Sequence, residues 1–197
     1  MVAFDYALRK DPLTGVDREC GDEGIILERE GSLFVALLDA LGHGEEAWDV
    51  SNRAKEYILE HQEEELPLIL KGLNEFMQRT RGLVAALCLI DGESGTVRFS
   101  GIGNISTRIH GKNSFTFIPR EGIVGYLMPS PREQEAKFDW HDTLVLNSDG
   151  VKEHLPLLEQ PDLLSGTAEE IAEKLITRMR NHDDASCLVV RCRKCIN

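Results

Sequence analysis

The stretch Leu33–Val50, LFVALLDALGHGEEAWDV, constrains the fold more than any other part of the chain. Six of its first seven residues are apolar, the pattern of a buried strand. Asp39 then ends the dry run with a carboxylate. Gly42 and Gly44 flank His43, and beyond them Ala47, Val50, Ala54, Tyr57 and Ile58 recur at helical spacing. Glu45 and Glu46 fall in the first turn, where a helix dipole favours anions. A strand that ends in a charge and turns through glycines into a helix predicts a layered fold. It also requires something to offset that charge.

The rest of the chain supplies the layers. Val2–Leu8 reads as a first strand. Gly24–Glu30 and Leu33–Asp39 read as a hairpin across a short Gly-Ser turn. Leu66, Ile69, Leu70, Leu73, Phe76 and Met77 mark a second helix, with Pro67 tolerated in its first turn. Strand-like runs follow at Leu83–Ile90, Thr96–Gly101, Ile105–His110 and Phe115–Ile118. Gln134–Trp140 and Thr143–Ser148 are expected to pair across His141-Asp142. Ala168, Ile171, Ala172, Leu175, Ile176 and Met179 predict a last helix, and Ser186–Cys192 a closing strand. Antiparallel hairpins with a few long helices predict an α+β layered domain, and 197 residues suit one domain, 1–197.

Charge and composition exclude several classes. A net charge of −12 disfavours a nucleic-acid binder and equally an anionic membrane surface. No apolar run approaches a membrane span, and the N-terminus has no secretory pattern. Five cysteines, an odd number, suit reduced thiols and predict a cytoplasmic protein. Cys192 and Cys195 have no second pair with which to build a zinc site.

Four acidic sites share one grammar. Gly21-Asp22 precedes the first hairpin; Asp39 ends a buried strand; Asp149-Gly150 ends another; Asp183-Asp184 precedes the last. Taken singly, Asp-Gly reads as a turn, Asp183 as a solvated loop, and Gly42 and Gly44 as a tight connection. Taken together, they place carboxylates at strand ends that a sheet brings to one edge. Converging carboxylates repel unless a cation neutralises them, and an all-oxygen set selects Mg²⁺ or Mn²⁺ over zinc.

The order of these motifs resembles the PPM family, the metal-dependent protein phosphatases of the 2C type. Within it, the chain is most similar to the bacterial SpoIIE-like branch and its short stressosome phosphatases. Asp39-Ala-Leu-Gly-His-Gly resembles the family's Asp-Gly-x-Gly-His-Gly. Asp142-Thr-Leu-Val-Leu-Asn-Ser-Asp149-Gly150-Val resembles its Asp-x-(apolar)-Thr-Asp-Gly-Val strand. Asp183-Asp184-Ala-Ser resembles its Asp-(Asp/Asn)-x-Thr ending, and Gly103-Asn104 its turn between central strands. The resemblance covers nearly the whole chain.

That resemblance implies a four-layer αββα sandwich of two antiparallel sheets flanked by helices. It implies a protein serine/threonine phosphatase with two Mn²⁺ or Mg²⁺ ions, and a third where Asp184 takes part. Asp39 would bridge two ions about 3.5–4 Å apart that activate a water. The Ala40 carbonyl, Asp22, Asp149 and Asp183 complete the set, with Asp39, Asp149 and Asp183 as the catalytic acids. Asp184 stands as a direct ligand, a partner of a ligand or part of a third site. The implied substrates are phosphorylated STAS-domain stressosome proteins. The rival reading is a non-catalytic phosphoprotein-binding regulator on the same fold, which the intact ligand set weighs against. Ala40 departs from the family's glycine and keeps its role only where the backbone needs no positive φ. Arg18 is an imperfect match to the phosphate-holding Arg of some relatives, and His43 and His182 read as loop residues. The family also places a flap where this chain has Glu121–Arg132. Its Ile123, Val124, Tyr126, Leu127 and Met128 look exposed, either to meet a partner or to pack as an irregular sheet edge.

Overall fold

A computed structural model describes residues 3–140, 142–152, 155 and 160–193. Val2, His141 and Cys195, which enter the readings above, lie outside the described residues. In chain order the elements are β1 (Ala3–Asp11), β2 (Asp22–Arg29), β3 (Ser32–Ala40), α1 (Glu45–His61), α2 (Leu66–Phe76), β4 (Leu83–Asp91) and β5 (Thr96–Ile102). There follow β6 (Ser106–His110), β7 (Phe115–Phe117), β8 (Gln134–Lys137), β9 (Thr143–Asn147), α3 (Ala168–Met179) and β10 (Ala185–Arg193).

Two five-stranded antiparallel sheets result, in the orders β1-β10-β9-β6-β7 and β2-β3-β4-β5-β8. Together with the helices they form the α+β sandwich expected from the sequence. Strand alternation explains the layers. In β3, Phe34, Ala36, Leu38 and Ala40 face α1 and α2, packing with Ala54, Ile58, Ile69 and Leu73. Leu33, Val35 and Leu37 point the other way, into the space between the sheets, with Phe99, Phe117, Leu144, Leu146 and Leu188. On the far side, Val145, Cys187 and Val189 pack against Ile171, Leu175 and Met179 of α3. Thr167 caps α3, accepting from the Glu170 amide while Glu170 accepts from the Thr167 amide.

One expected pairing is wrong. Gln134–Trp140 and Thr143–Ser148 do not form a hairpin: β8 pairs with β5, and β9 with β10 and β6, in the other sheet. The chain crosses from one sheet to the other between β8 and β9. The Asp142 carboxylate holds that crossing, accepting from the Asp139 amide at 3.0 Å and from the Asn113 amide and side chain at 2.9 and 2.7 Å.

Among the described residues, no helix is long and apolar enough to cross a membrane.

Candidate active site

The same alternation that builds the inter-sheet core delivers the acids to its open end. Asp39 follows Leu33, Val35 and Leu37 on the inward face of β3. Asp22 stands directly opposite it in the β2–β3 register, which sets the two Cβ atoms about 4.5–5.5 Å apart. Ser148 continues the inward Leu144 and Leu146 of β9, and Asp184 continues the inward Ser186 and Leu188 of β10. Asp149 and Asp183 stand beside them in the adjoining turns. A cavity of about 390 Å³ forms there, lined by Asp22, Asp39, Asp149, Asp183 and Asp184, with Val84, Asn104, Glu121 and Ile123 among the other walls.

Each acid is held differently. Asp22 is buried and accepts from the Ser148 hydroxyl at 2.6 Å; that hydroxyl in turn accepts from the Ser186 amide at 3.0 Å. Asp184 is buried, and its two oxygens accept from the Leu13 amide at 2.7 Å and the Gly21 amide at 2.8 Å. It therefore fastens the loop that leads into Asp22. Asp149 is exposed and accepts from the Asn104 side chain at 3.0 Å, while the Asn181 side chain donates to its backbone carbonyl. Asp183 is exposed and accepts from the Asp184 amide. Among the described residues, no hydrogen bond or ion pair reaches the Asp39 carboxyl.

Electrostatics follow from that arrangement. Burial, then the charges of Asp22, Asp149, Asp183 and Asp184, push the Asp39 carboxyl up to about 9. Burial pushes Asp22 up to about 6, against the lowering effect of the Ser148 hydroxyl. Glu23, one residue along and on the outward face, behaves oppositely. Burial alone would raise it, yet the Gly24 amide and Lys10 outweigh that, and Lys10 and Lys55 sit 3.0 and 3.2 Å from its oxygens.

No Lys or Arg lines the acid cavity among the described residues. A set of carboxylates without a basic partner fits the oxygen-donor chemistry that hard divalent cations such as Mg²⁺ or Mn²⁺ favour. The acids surround the cavity without closing on one point: among the described residues, no three His, Cys, Asp or Glu side chains form a compact group ready to hold an ion.

Backbone geometry supports the site. A Cβ on Gly150 would lie 1.9 Å from the Asp184 carbonyl oxygen, so only glycine lets these two turns touch. Gly42 and Gly44 have φ of 82° and 87°, carrying the chain from β3 into α1. Ala40 is fully buried and has no positive φ, so the alanine is compatible with its backbone; it is not among the residues described as lining the cavity. His43 and His182 are exposed and do not line it either. Arg18 stacks over the Trp48 ring at 5.8 Å.

The loop at 121–132 divides in two. Val124 is fully buried and exchanges backbone hydrogen bonds with Leu83, correcting the expectation that it is exposed. Met128 is partly buried against the helix-side core. Tyr126 and Leu127 are 78% and 72% exposed, while Glu121 and Ile123 line the cavity. Sequence reasoning missed Ser148 as a partner of Asp22. The inward alternation Leu144, Leu146, Ser148 was the signal that would have found it.

The family model for stage II sporulation protein E (SpoIIE) matches residues 29–193. Among curated proteins no sequence matches. Among solved structures, a chain from work on the bacterial stressosome as a modular system controlling secondary messenger signalling is 28% identical. It superposes with a TM-score of 0.87 over 97% of this chain and 100% of its own. RsbX in complex with magnesium is 20% identical, with a TM-score of 0.83 over 98% of this chain and 100% of its own. The PP2C phosphatase domain of SpoIIE from Bacillus subtilis, solved with a fragment of its regulatory domain, is 18% identical, with a TM-score of 0.81 over 100% of this chain and 65% of its own. With the family model matched over most of its length and this fold shared, the chain belongs to the SpoIIE family, the bacterial PP2C-like branch of the PPM phosphatases.

Proposed function

We propose that the chain is a divalent-cation-dependent protein phosphatase that hydrolyses phosphoserine and phosphothreonine. One observation carries this reading: aspartates from four separate segments meet at one cavity, and Asp39 among them is pushed up to about 9 by burial and by the charges of its neighbours. Such a centre is stable as a set of anions only around cations. Asp39 and the Ala40 carbonyl, with Asp22, Asp149 and Asp183, are the residues that would hold two Mn²⁺ or Mg²⁺ ions. When bound, the ions neutralise phosphoryl charge and make a water nucleophilic at neutral pH.

The chain's own groups do the positioning. Ser148 orients Asp22, and Asn104 orients Asp149. Asp184 has both oxygens engaged by amides, so we assign it to holding the loop before Asp22 and assign ligation to Asp183. Val84, Leu41 and Ile123 give the cavity an apolar wall, which strengthens charge interactions inside it. No cysteine or serine nucleophile is required; Cys20, Cys88 and Cys187 are buried thiols, consistent with a reducing cytoplasm. The likeness to a 28% identical chain from work on the bacterial stressosome supports a phosphoprotein of that kind of assembly as the substrate, and phosphorylated STAS-domain stressosome proteins are the ones we propose.

The test is turnover of a phosphothreonine peptide and of a small aryl phosphate with Mn²⁺, then with excess chelator. Activity with Mn²⁺ that disappears with chelator is expected. Turnover undiminished by chelator overturns the reading, and binding of the peptide without any turnover favours a regulator instead.

A further inference from the structure

A second cavity, about 460 Å³, opens beside the acid site. One wall is the first turns of α1, with Glu45, Glu46, Asp49 and Arg53. The other is the loop between α2 and β4, with Arg79 and Arg81. Arg81 joins the two cavities. Its guanidinium donates to the Leu41 carbonyl at 3.0 Å and lies against Gly42, and both of these residues line the acid site. Its other nitrogen pairs with Glu46 at 2.5 Å.

Most charges in this groove are already matched. Arg81 holds Glu46, and Arg53 approaches Asp49 at 4.0 Å while lying over the Phe76 ring. Arg79 and Glu45 are the exceptions: both are exposed, and neither makes an ion pair or hydrogen bond among the described residues. Arg79 is also the only described non-glycine residue with positive φ, 68°, at a place after α2 that glycine or asparagine would fill with less strain. A free guanidinium therefore stands in a groove that Arg81 links to the acid site, on a chain whose net charge is −12.

We propose that this groove is a docking subsite for the protein segment adjoining the phosphoresidue, and that Arg79 receives an acidic side chain, Asp or Glu, of that segment. The proposal rests on the phosphatase reading and adds a sequence preference to it. The matched pairs leave Arg79 and Glu45 as the open charges of the groove, and Arg79 is the one that pairs with an acidic side chain.

The experiment uses the full chain with Mn²⁺ and phosphothreonine peptides in which Glu, Ala or Lys is scanned along either side of the phosphoresidue. Binding is read by fluorescence anisotropy and turnover by phosphate release. At one position, Glu is expected to improve kcat/KM and affinity over Ala by about threefold, the scale of one exposed ion pair, and the gain should fade with salt. Arg79→Glu should reverse the preference, so that Lys at that position restores what Glu loses, with aryl phosphate turnover unchanged. A variant that keeps the wild-type preference, or a wild-type protein without one, overturns the proposal. Failure of the phosphatase reading shows separately, as absent aryl phosphate turnover, and the anisotropy arm still decides the groove.

Discussion

Two inward-facing aspartates sit at different places in the sandwich and have opposite surroundings. Asp142, at the crossing between sheets, is 1% exposed and accepts three hydrogen bonds, two from Asn113 and one from Asp139. Asp39, at the end of β3, receives none among the described residues and faces four other acids. Burial costs a charged group heavily unless it is matched. Asp142 is matched by the chain itself, so it belongs to the architecture. Asp39 is matched by nothing among the described residues, and folding alone gives no reason to keep it. Stability lost at one position for the sake of a ligand is what separates a site from a scaffold.

The largest expected effect breaks the comparison at Asp39. Asp39→Asn should lower Mn²⁺-dependent turnover by more than about a hundredfold, beyond the range for groups that merely orient a ligand. In chelator the same variant should unfold at a higher temperature than the wild type. The pH dependence fixes the sign. A carboxyl near 4 in the unfolded chain and about 9 in the folded one holds its proton more tightly when folded. Its favourable contribution is complete below about pH 4 and is lost as pH rises through about 9. Without metal, the wild type should therefore lose stability over that window, and Asp39→Asn should flatten the slope. A parallel slope in the two proteins, read by thermal unfolding, would show that Asp39 is not the strained acid.

Asp142→Ala tests the other half. It leaves the Asp139 amide and the Asn113 donors without their acceptor at a buried crossing. A loss of about 2–4 kcal/mol in urea unfolding is expected, from one or two unsatisfied buried donors. Turnover per folded molecule should stay near that of the wild type. A variant of full stability and low activity would reverse the assignment of the two acids.

Much of this contrast was legible before the structure. The alternation Leu33, Val35, Leu37, Asp39 puts that acid on an inward face, and Gly42 and Gly44 announce the turn beyond it. The long helices were legible too, because their apolar periods are local. What was hidden is non-local. The expected hairpin of Gln134–Trp140 with Thr143–Ser148 follows the tendency of consecutive strands to pair. It fails because Asp142 finds its partner in Asn113, 29 residues earlier. Asp184 could not be read as the anchor of a loop, since its amide partners lie 171 and 163 residues away. Val124 likewise looked like a surface residue of a Gly- and Pro-rich loop until its pairing with Leu83 was seen.

That loop gives the smallest effect, and it repeats the comparison within a few residues. Val124 is anchored by backbone bonds to Leu83, and the Gly125 amide donates to the Asn74 side chain at 2.8 Å. The next two residues, Tyr126 and Leu127, project as an exposed apolar tip above a cavity wall made by Glu121, Gly122 and Ile123. Buried and exposed members of one loop should respond differently to truncation. Val124→Ala should lower stability by about 1 kcal/mol or more, as a large-to-small change in the core. Tyr126→Ala with Leu127→Ala should leave the unfolding midpoint almost unmoved, because neither side chain is buried. Turnover of a phosphoprotein should fall a few-fold, since aromatic and apolar side chains are favoured where proteins meet. A small aryl phosphate does not reach the tip, and its turnover should be spared. Equal losses on both substrates would mean that the tip shapes the cavity wall instead of touching the partner. A drop in stability would place Tyr126 and Leu127 with Val124, as packing.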